Sequence, residues 1–300
     1  MWRTLFLFGC AAGVTCFFTA ADAVEGQRPD FSGIWTHPYW PGFDPALSGP
    51  GPVVNRSRTP SGIGNSDQLV GDYTNPILKP TAAEVVRKHG EISVSGQTYP
   101  TPANQCWPQP VPYIFWTIGI QLLQQPGKVT ILYSNPNHES REVRMNQQHP
   151  ARVIPSWYGD SVGHYEGDTL VVDTVGVKAS RPYAMVDVYG TPYSEGLHVI
   201  ERYRFVDDTA AQAAEARTRK ENLYIPFNDS GLAVDQAFKG KALQLEFTVE
   251  DPGSFTRPWS ASMTYRRASG AWPEFVCSEN QHEFYAAGDA QVPRAAEPDF

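Results

Sequence analysis

The chain has 300 residues, 41% of them hydrophobic and 12% aromatic, and its formal net charge at pH 7 is −8. A chain of this length buries about three-quarters of its unfolded surface, so these side chains suffice for a sizeable core and argue against disorder. The 25 glycines and 26 prolines disfavour a helical bundle and indicate short strands joined by turns. Lys and Arg form no long run, so we expect no nucleic-acid partner.

The first 23 residues have the pattern of a secretory signal peptide. Arg3 precedes an apolar stretch over residues 4–18, and Ala21 and Ala23 form an A-x-A cleavage site. We expect cleavage after Ala23, hence a periplasmic or secreted protein with no integral membrane segment after cleavage. An uncleaved anchor is the alternative, although the apolar run is short for crossing a bilayer.

Cleavage also determines which cysteines remain. It removes Cys10 and Cys16 and leaves Cys106 and Cys277 in the mature chain. In an oxidising compartment, two such cysteines most simply form one disulfide, which would tie an early segment to the C-terminal one. Two buried free thiols are the alternative.

By composition and residue pattern, the mature chain divides into an N-terminal wrap and a β-rich region. Residues 28–80 are rich in Pro, Gly, Asn and Ser, but their aromatic side chains need a surface to pack on, so we expect an ordered wrap with a first strand over 31–35. The pattern from Thr81 to Glu84 is typical of a capping box and predicts a short helix that ends at Gly90.

From residue 111 onward, short apolar or alternating runs follow one another with turn residues between them. The predicted strands lie at residues 113–123, 128–133, 139–145, 162–166, 169–175, 197–205, 241–250 and 259–267, the first range being one central strand or a pair of strands. This spacing predicts a mainly β fold, an antiparallel barrel or a sandwich, with a lipocalin-like (calycin) barrel as the specific expectation. Residues 209–240 form an insertion that begins with a second short helix, over 209–222. We therefore expect one domain over residues 24–300.

Residues 159–163 match G-x-S-x-G, the pattern of a serine-hydrolase nucleophile elbow. That elbow requires a helix after the serine, whereas here a second strand follows, so the segment is predicted to be a hairpin with a Gly167-Asp168 turn. The register then pairs His164 with Val171 and Val162 with Asp173. One face, predicted to be core, carries Tyr165, Leu170 and Val172. The other carries His164, Glu166 and Asp173, and is either a solvated face or the wall of a cleft.

Glu201 is a carboxylate on an otherwise apolar strand face, because Leu197, Val199, Tyr203 and Phe205 alternate with the same period. A buried carboxylate must be paired or protonated, and Arg141, on the face of its own strand that carries Val143 and Met145, is the expected partner. The two readings are a structural ion pair and a catalytic or ligand-gripping pair. His198 points to the opposite face of the Glu201 strand, so the two do not form a simple dyad.

The remaining motifs add little. Arg257 and Trp259 either line the mouth of a cavity or form a stacked structural pair. No H-x-H or H-E-x-x-H spacing, Walker motif or glycine-rich dinucleotide loop occurs, so neither a metal nor a cofactor is predicted.

Several segments together resemble a family of exported bacterial proteins of uncharacterised activity. They are residues 30–35, 106–108, 149–150, 159–174, 193–202, 248–252 and 258–259, with the 159–174 signature the most specific. The family usually has Trp where Tyr165 stands, and it usually lacks the 209–240 insertion. The resemblance implies export and a β-rich fold, and it carries no activity or catalytic residues.

Two functions fit these observations best. The first is an exported lyase, isomerase or hydrolase that acts on a small, partly apolar molecule by cofactor-independent acid–base chemistry in a barrel cavity. The alternative is a periplasmic binding or carrier protein without catalysis, and a third is an envelope interaction module that uses the wrap. The candidate catalytic residues are Glu201, His198, His164 and Glu166, and the candidate ligand-binding residues are Arg141, Asp160, Asp173, Tyr203, Arg257 and Trp259.

Overall fold

The computed structural model of the chain describes residues 28–39, 42–65, 67–135, 139–221 and 232–274, and Cys277. The predicted signal peptide lies outside these residues. In chain order the elements are β1 (Gly33–Thr36), β2 (Asp44–Pro45), α1 (Pro80–Val94), β3 (Gly119–Gln125), β4 (Lys128–Tyr133), β5 (Ser140–Met145), β6 (Asp160–Glu166), β7 (Thr169–Val175), β8 (His198–Val206), α2 (Asp208–Glu221), β9 (Ala233–Val234), β10 (Ala242–Glu250) and β11 (Trp259–Ser269).

Nine of these strands form a closed barrel. The order is β1-β3-β4-β5-β6-β7-β8-β10-β11, and β11 pairs with β1 to close the ring. Every neighbouring pair is antiparallel except β5 and β6, which run parallel with Arg144 opposite Val162. The mainly β prediction is confirmed, with a barrel and not a sandwich. The nine strands and the parallel pair distinguish it from the eight-stranded up-and-down barrel of lipocalins.

The N-terminal segment is an ordered wrap, as its aromatic residues predicted. Phe31, Trp35, Tyr39 and Phe43 are each at most 3% exposed, which shows that they belong to the core. The ring of Phe43 lies 4.9 Å from that of Phe247 on β10, so the wrap packs directly against the barrel. Burial of such rings is a major source of stability because each removes a large apolar area from water.

Two local predictions are wrong. Residues 113–123 are neither one continuous strand nor a pair of strands, since Tyr113–Trp116 forms a 3-10 turn with all four side chains buried and β3 begins only at Gly119. Helix α1 begins at Pro80 and continues past Gly90 to Val94, and no side chain caps its first turn. Gly90 is retained inside the helix by close packing, because a Cβ atom there would lie 3.0 Å from Val70 Cγ1.

The predicted insertion begins with a helix, α2, as expected. Arg266 on β11 holds it to the barrel through ion pairs of 2.5 Å with Asp208 and with Glu215. Residues 222–231 lie outside the described part, and β9 then pairs with β11. The predicted disulfide between Cys106 and Cys277 is present. Among the described residues, no helix combines the length and apolar character needed to cross a membrane.

Candidate functional site

The interior of the barrel contains the predicted ion pair. Arg141 on β5 donates two hydrogen bonds to Glu201 on β8, from Nη1 to Oε1 and from Nη2 to Oε2, each at 2.6 Å. The side chains are 2% and 0% exposed. Period-2 alternation therefore correctly placed Glu201 inside, and the bidentate geometry is the strongest arrangement that a guanidinium and a carboxylate can make.

Tyrosine and threonine hydroxyls complete this interior cluster. The Tyr203 hydroxyl donates to Glu201 Oε2 at 2.8 Å, and Arg141 donates to the Tyr133 hydroxyl at 2.9 Å and to Thr174 Oγ1 at 3.1 Å. Burial raises the pKa of both tyrosine hydroxyls, so they stay protonated. Burial opposes the charge on Arg141, but Glu201 together with Tyr133 and Tyr203 outweighs this effect and raises the pKa of the guanidinium. Both oxygens of Glu201 are thus occupied by donors.

The β6–β7 hairpin has the predicted register. His164 pairs with Val171, Val162 with Asp173, and Glu166 with Thr169 across the two-residue turn. Leu170 and Val172 are fully buried, and Tyr165 is partly buried against the core. The inward and outward faces are therefore assigned correctly.

On the outward face, His164 and Glu166 form an exposed surface pair. His164 Nε2 lies 3.1 Å from Glu166 Oε1, and Arg202 Nη1 lies 2.7 Å from Glu166 Oε2. The Arg202 hydrogen bond, followed by that of His164, lowers the pKa of the Glu166 carboxyl. With about half of each side chain in solvent, an ion pair of this kind contributes little to stability.

A second polar cluster lies on the outer surface at the barrel rim where β6 and β8 begin and β7 and β10 end. We call it the rim array, and its members contact one another in the order Arg144, Asp160, His149, Asp173, His198 and Glu250. Asp173 is at its centre, because its Oδ1 accepts from His198 Nε2 at 2.9 Å and from His149 Nε2 at 3.1 Å.

The two histidines of the rim array differ in how their second ring nitrogen is used. His149 Nδ1 lies 2.6 Å from Asp160 Oδ1, so both of its nitrogens face carboxylates at hydrogen-bond distance. His198 Nδ1 lies 3.5 Å from Glu250 Oε2, beyond the usual length of a hydrogen bond to nitrogen. The second nitrogen of His198 is therefore the more weakly held of the two, because this long contact with Glu250 is all that faces it.

The electrostatics of the central pair favour its charged form. The hydrogen bond to Asp173 raises the pKa of His198 against the opposing effect of partial burial. The same bond, followed in importance by the His149 contact, lowers the pKa of Asp173. Asp173 is consequently ionised at neutral pH and holds His198 by its Nε2, while His198 gains and loses a proton at a pH above the ordinary value of 6.5.

A groove of about 280 Å³ adjoins the rim array at Glu250. Lys79, Asp251, Phe255 and Arg257 also line it, so it offers two cations, two carboxylates and an aromatic ring. Trp259 does not line this groove. It is 2% exposed and packs edge-on against Phe255 in the core, so neither sequence reading of an Arg257–Trp259 pair describes it.

Sequence reasoning missed three members of the rim array. His149, Arg144 and Glu250 are not among the candidate site residues predicted from the sequence. Glu250 follows the buried Val249 in β10, so alternation along this strand predicts that the Glu250 side chain points outward. No local signal placed His149, because its position depends on residues 146–159 returning the chain from the end of β5 to the start of β6.

Comparison with family models, with curated proteins and with solved structures finds no match to this chain. The resemblance to an exported bacterial family therefore stays a prediction. Over the described ranges, no group of three or more His, Cys, Asp and Glu side chains has a geometry that could hold a metal ion.

Proposed function

We propose that this chain is an exported enzyme that acts on a small, partly apolar molecule by acid–base chemistry at the rim array. The observation that supports it is the carboxylate of Asp173, which binds Nε2 of His198 at 2.9 Å, while Nδ1 has only a long contact of 3.5 Å with the Glu250 carboxylate. A histidine oriented by a carboxylate through one nitrogen is the arrangement that general acid–base catalysis uses. Elimination, isomerisation and hydrolysis all need such a proton carrier.

In this proposal each member of the rim array has one task. His198 takes a proton from the substrate at Nδ1 and returns it to the product or leaving group. Asp173 is a positioning residue that fixes the imidazole and stabilises its charged form, and His149 with Asp160 holds Asp173 in place. The adjoining groove would receive the substrate, with Phe255 against its apolar part and Arg257 near an anionic one.

The proposal moves the proton-carrying role from Glu201 to His198. Glu201 is fully buried, and both of its carboxylate oxygens accept hydrogen bonds. It lines neither the two cavities beside α2 nor the groove that adjoins the rim array. General acid–base catalysis requires the group to reach the proton that it transfers, which an accessible side chain at the rim does more readily. Glu201 and Arg141 then support the barrel wall beneath the array.

The experiment is a turnover screen with matched histidine variants. Small esters, enolisable ketones and β-hydroxy carboxylates are incubated with the protein in D2O, and mass spectrometry records products and deuterium exchanged at carbon. We expect activity on at least one class, a loss of 100-fold or more in His198→Gln, and near wild-type activity in His164→Gln, the other outward histidine of these strands.

Three outcomes separate the alternatives. Equal loss in both histidine variants, or loss in His164→Gln alone, overturns the assignment to the rim array. Binding of a native ligand without turnover or exchange favours the carrier function and ends the enzyme proposal. An activity-independent check is the NMR titration of His198, whose pKa should fall in Asp173→Asn because the stabilising carboxylate is lost.

A further inference from the structure

A cleft of about 540 Å³ lies between helix α2 and the outer surface of the barrel. Its floor is formed by outward side chains of β8, β10 and β11, one wall by α2, and the other wall by residues 46–48. It shares no residue with the rim array. Its volume is in the range typical of sites for small molecules.

The helix wall is built by an exposed face of α2. Ala211 and Ala214 are fully buried against the barrel, whereas Ala210, Ala213 and Arg217 recur at helical spacing and line the cleft instead. The small alanine side chains leave the space open. The rest of the apolar surface comes from Ile200 and Val206 of the floor and from Leu47, which is 86% exposed at the mouth.

The charged lining of the cleft is predominantly cationic. Arg202, Arg204 and Arg217 line it with one carboxylate, that of Glu246, although the chain as a whole carries a net charge of −8. Arg204 is satisfied by Gln244 and Glu246, at 2.8 and 2.7 Å, and Arg202 by Glu166.

Arg217 differs from the other two arginines. Its buried Nε has no hydrogen-bond partner among the described residues. Its charge acts on the Asp44 carboxyl, whose pKa burial raises to about 7 against the lowering effects of Thr218 and Arg217. Arginine side chains beside an apolar wall match a ligand that has both an anionic group and a hydrocarbon part.

We propose that this cleft is a binding site for a small amphiphilic anion, a molecule with a short hydrocarbon chain and a carboxylate or similar head group. The head group is held by Arg217 with help from the neighbouring arginines, and the chain lies on Ala210, Ala213 and Ile200. This site is separate from the proposed reaction at the rim, and neither depends on the other.

The test uses decanoate as the probe, with decan-1-ol as the uncharged analogue and acetate as the anion without a chain. Isothermal titration calorimetry should show saturable one-to-one binding of decanoate, and at least 10-fold weaker binding of both analogues, because each lacks one of the two interactions. Arg217→Gln should weaken decanoate binding 10-fold or more, since a charge-assisted hydrogen bond is lost. Arg152→Gln removes an exposed arginine outside the cleft and should change nothing.

A filling variant tests the location independently. Ala213→Phe places a ring in the cleft and should abolish decanoate binding, whereas Ala216→Phe, at an exposed position of the same helix outside the cleft, should not. Both variants should melt within a few degrees of the wild type. Undetectable binding of decanoate, equal binding of decan-1-ol, or unchanged binding in Arg217→Gln and Ala213→Phe would overturn the proposal.

Discussion

Replacing Glu201 by Gln tests the role of the interior ion pair. The amide keeps the shape of the carboxylate but puts an NH2 group where one oxygen now accepts from Arg141 at 2.6 Å, so a donor faces a donor. The guanidinium then has no neutralising charge at a site where its side chain is 2% exposed. Removing one partner of a buried ion pair costs about 3–5 kcal/mol.

The loss of stability in Glu201→Gln can be measured in two ways. In urea titrations followed by tryptophan fluorescence, the free energy of unfolding should fall by about 3–5 kcal/mol. For a domain of this length each kcal/mol corresponds to about 2–4 °C, so the melting temperature should fall by about 6–20 °C. The double variant Arg141→Met with Glu201→Leu should be less destabilised than the sum of its single changes, because no charge is left unpaired.

Two results would contradict this reasoning. A change below about 1 kcal/mol in Glu201→Gln would mean that the pair is not sealed from water. Additive single and double variants would mean that the two residues do not interact. If instead Glu201→Gln keeps its melting temperature and its ligand but loses turnover, Glu201 carries a proton in the reaction and the rim proposal is wrong.

Two further predictions concern stability and processing. If the predicted signal peptide is cleaved, the intact mass should show an N-terminus near Val24, and it should increase by two hydrogens on reduction. Reduction should lower stability by at most about 5 kcal/mol, because Cys106–Cys277 closes a long loop. Freely alkylated thiols without reductant would contradict this prediction. The folded Asp44 carboxyl, with its pKa raised by burial to about 7 from 3.8, binds its proton more tightly than the unfolded one, so the wild type should lose stability as pH rises from about 4 to 7. The Asp44→Asn variant should lack this pH-dependent loss of stability. If the melting temperatures of both proteins change equally with pH over that range, the prediction is refuted.

Alternation along a strand is what the sequence revealed most reliably. The register of β6 with β7 and the inward direction of Glu201 follow from period 2, because a strand with one core face has only two choices. The Tyr113–Trp116 turn could not be told from a strand, since a short run that is apolar on every side has no period to measure. The rim array depends on strand order across the barrel, which no local pattern contains.

The parallel pairing of β5 with β6 is a consequence of the odd number of strands in the barrel. Directions that alternate up and down around a ring return to their starting sense only when the number of strands is even, so a ring of nine must contain at least one pair of neighbours that point the same way. The chain between such neighbours must travel back along the barrel wall before the second strand begins. His149 lies on that return path, so the odd strand number is what delivers an imidazole to the two aspartates at the rim.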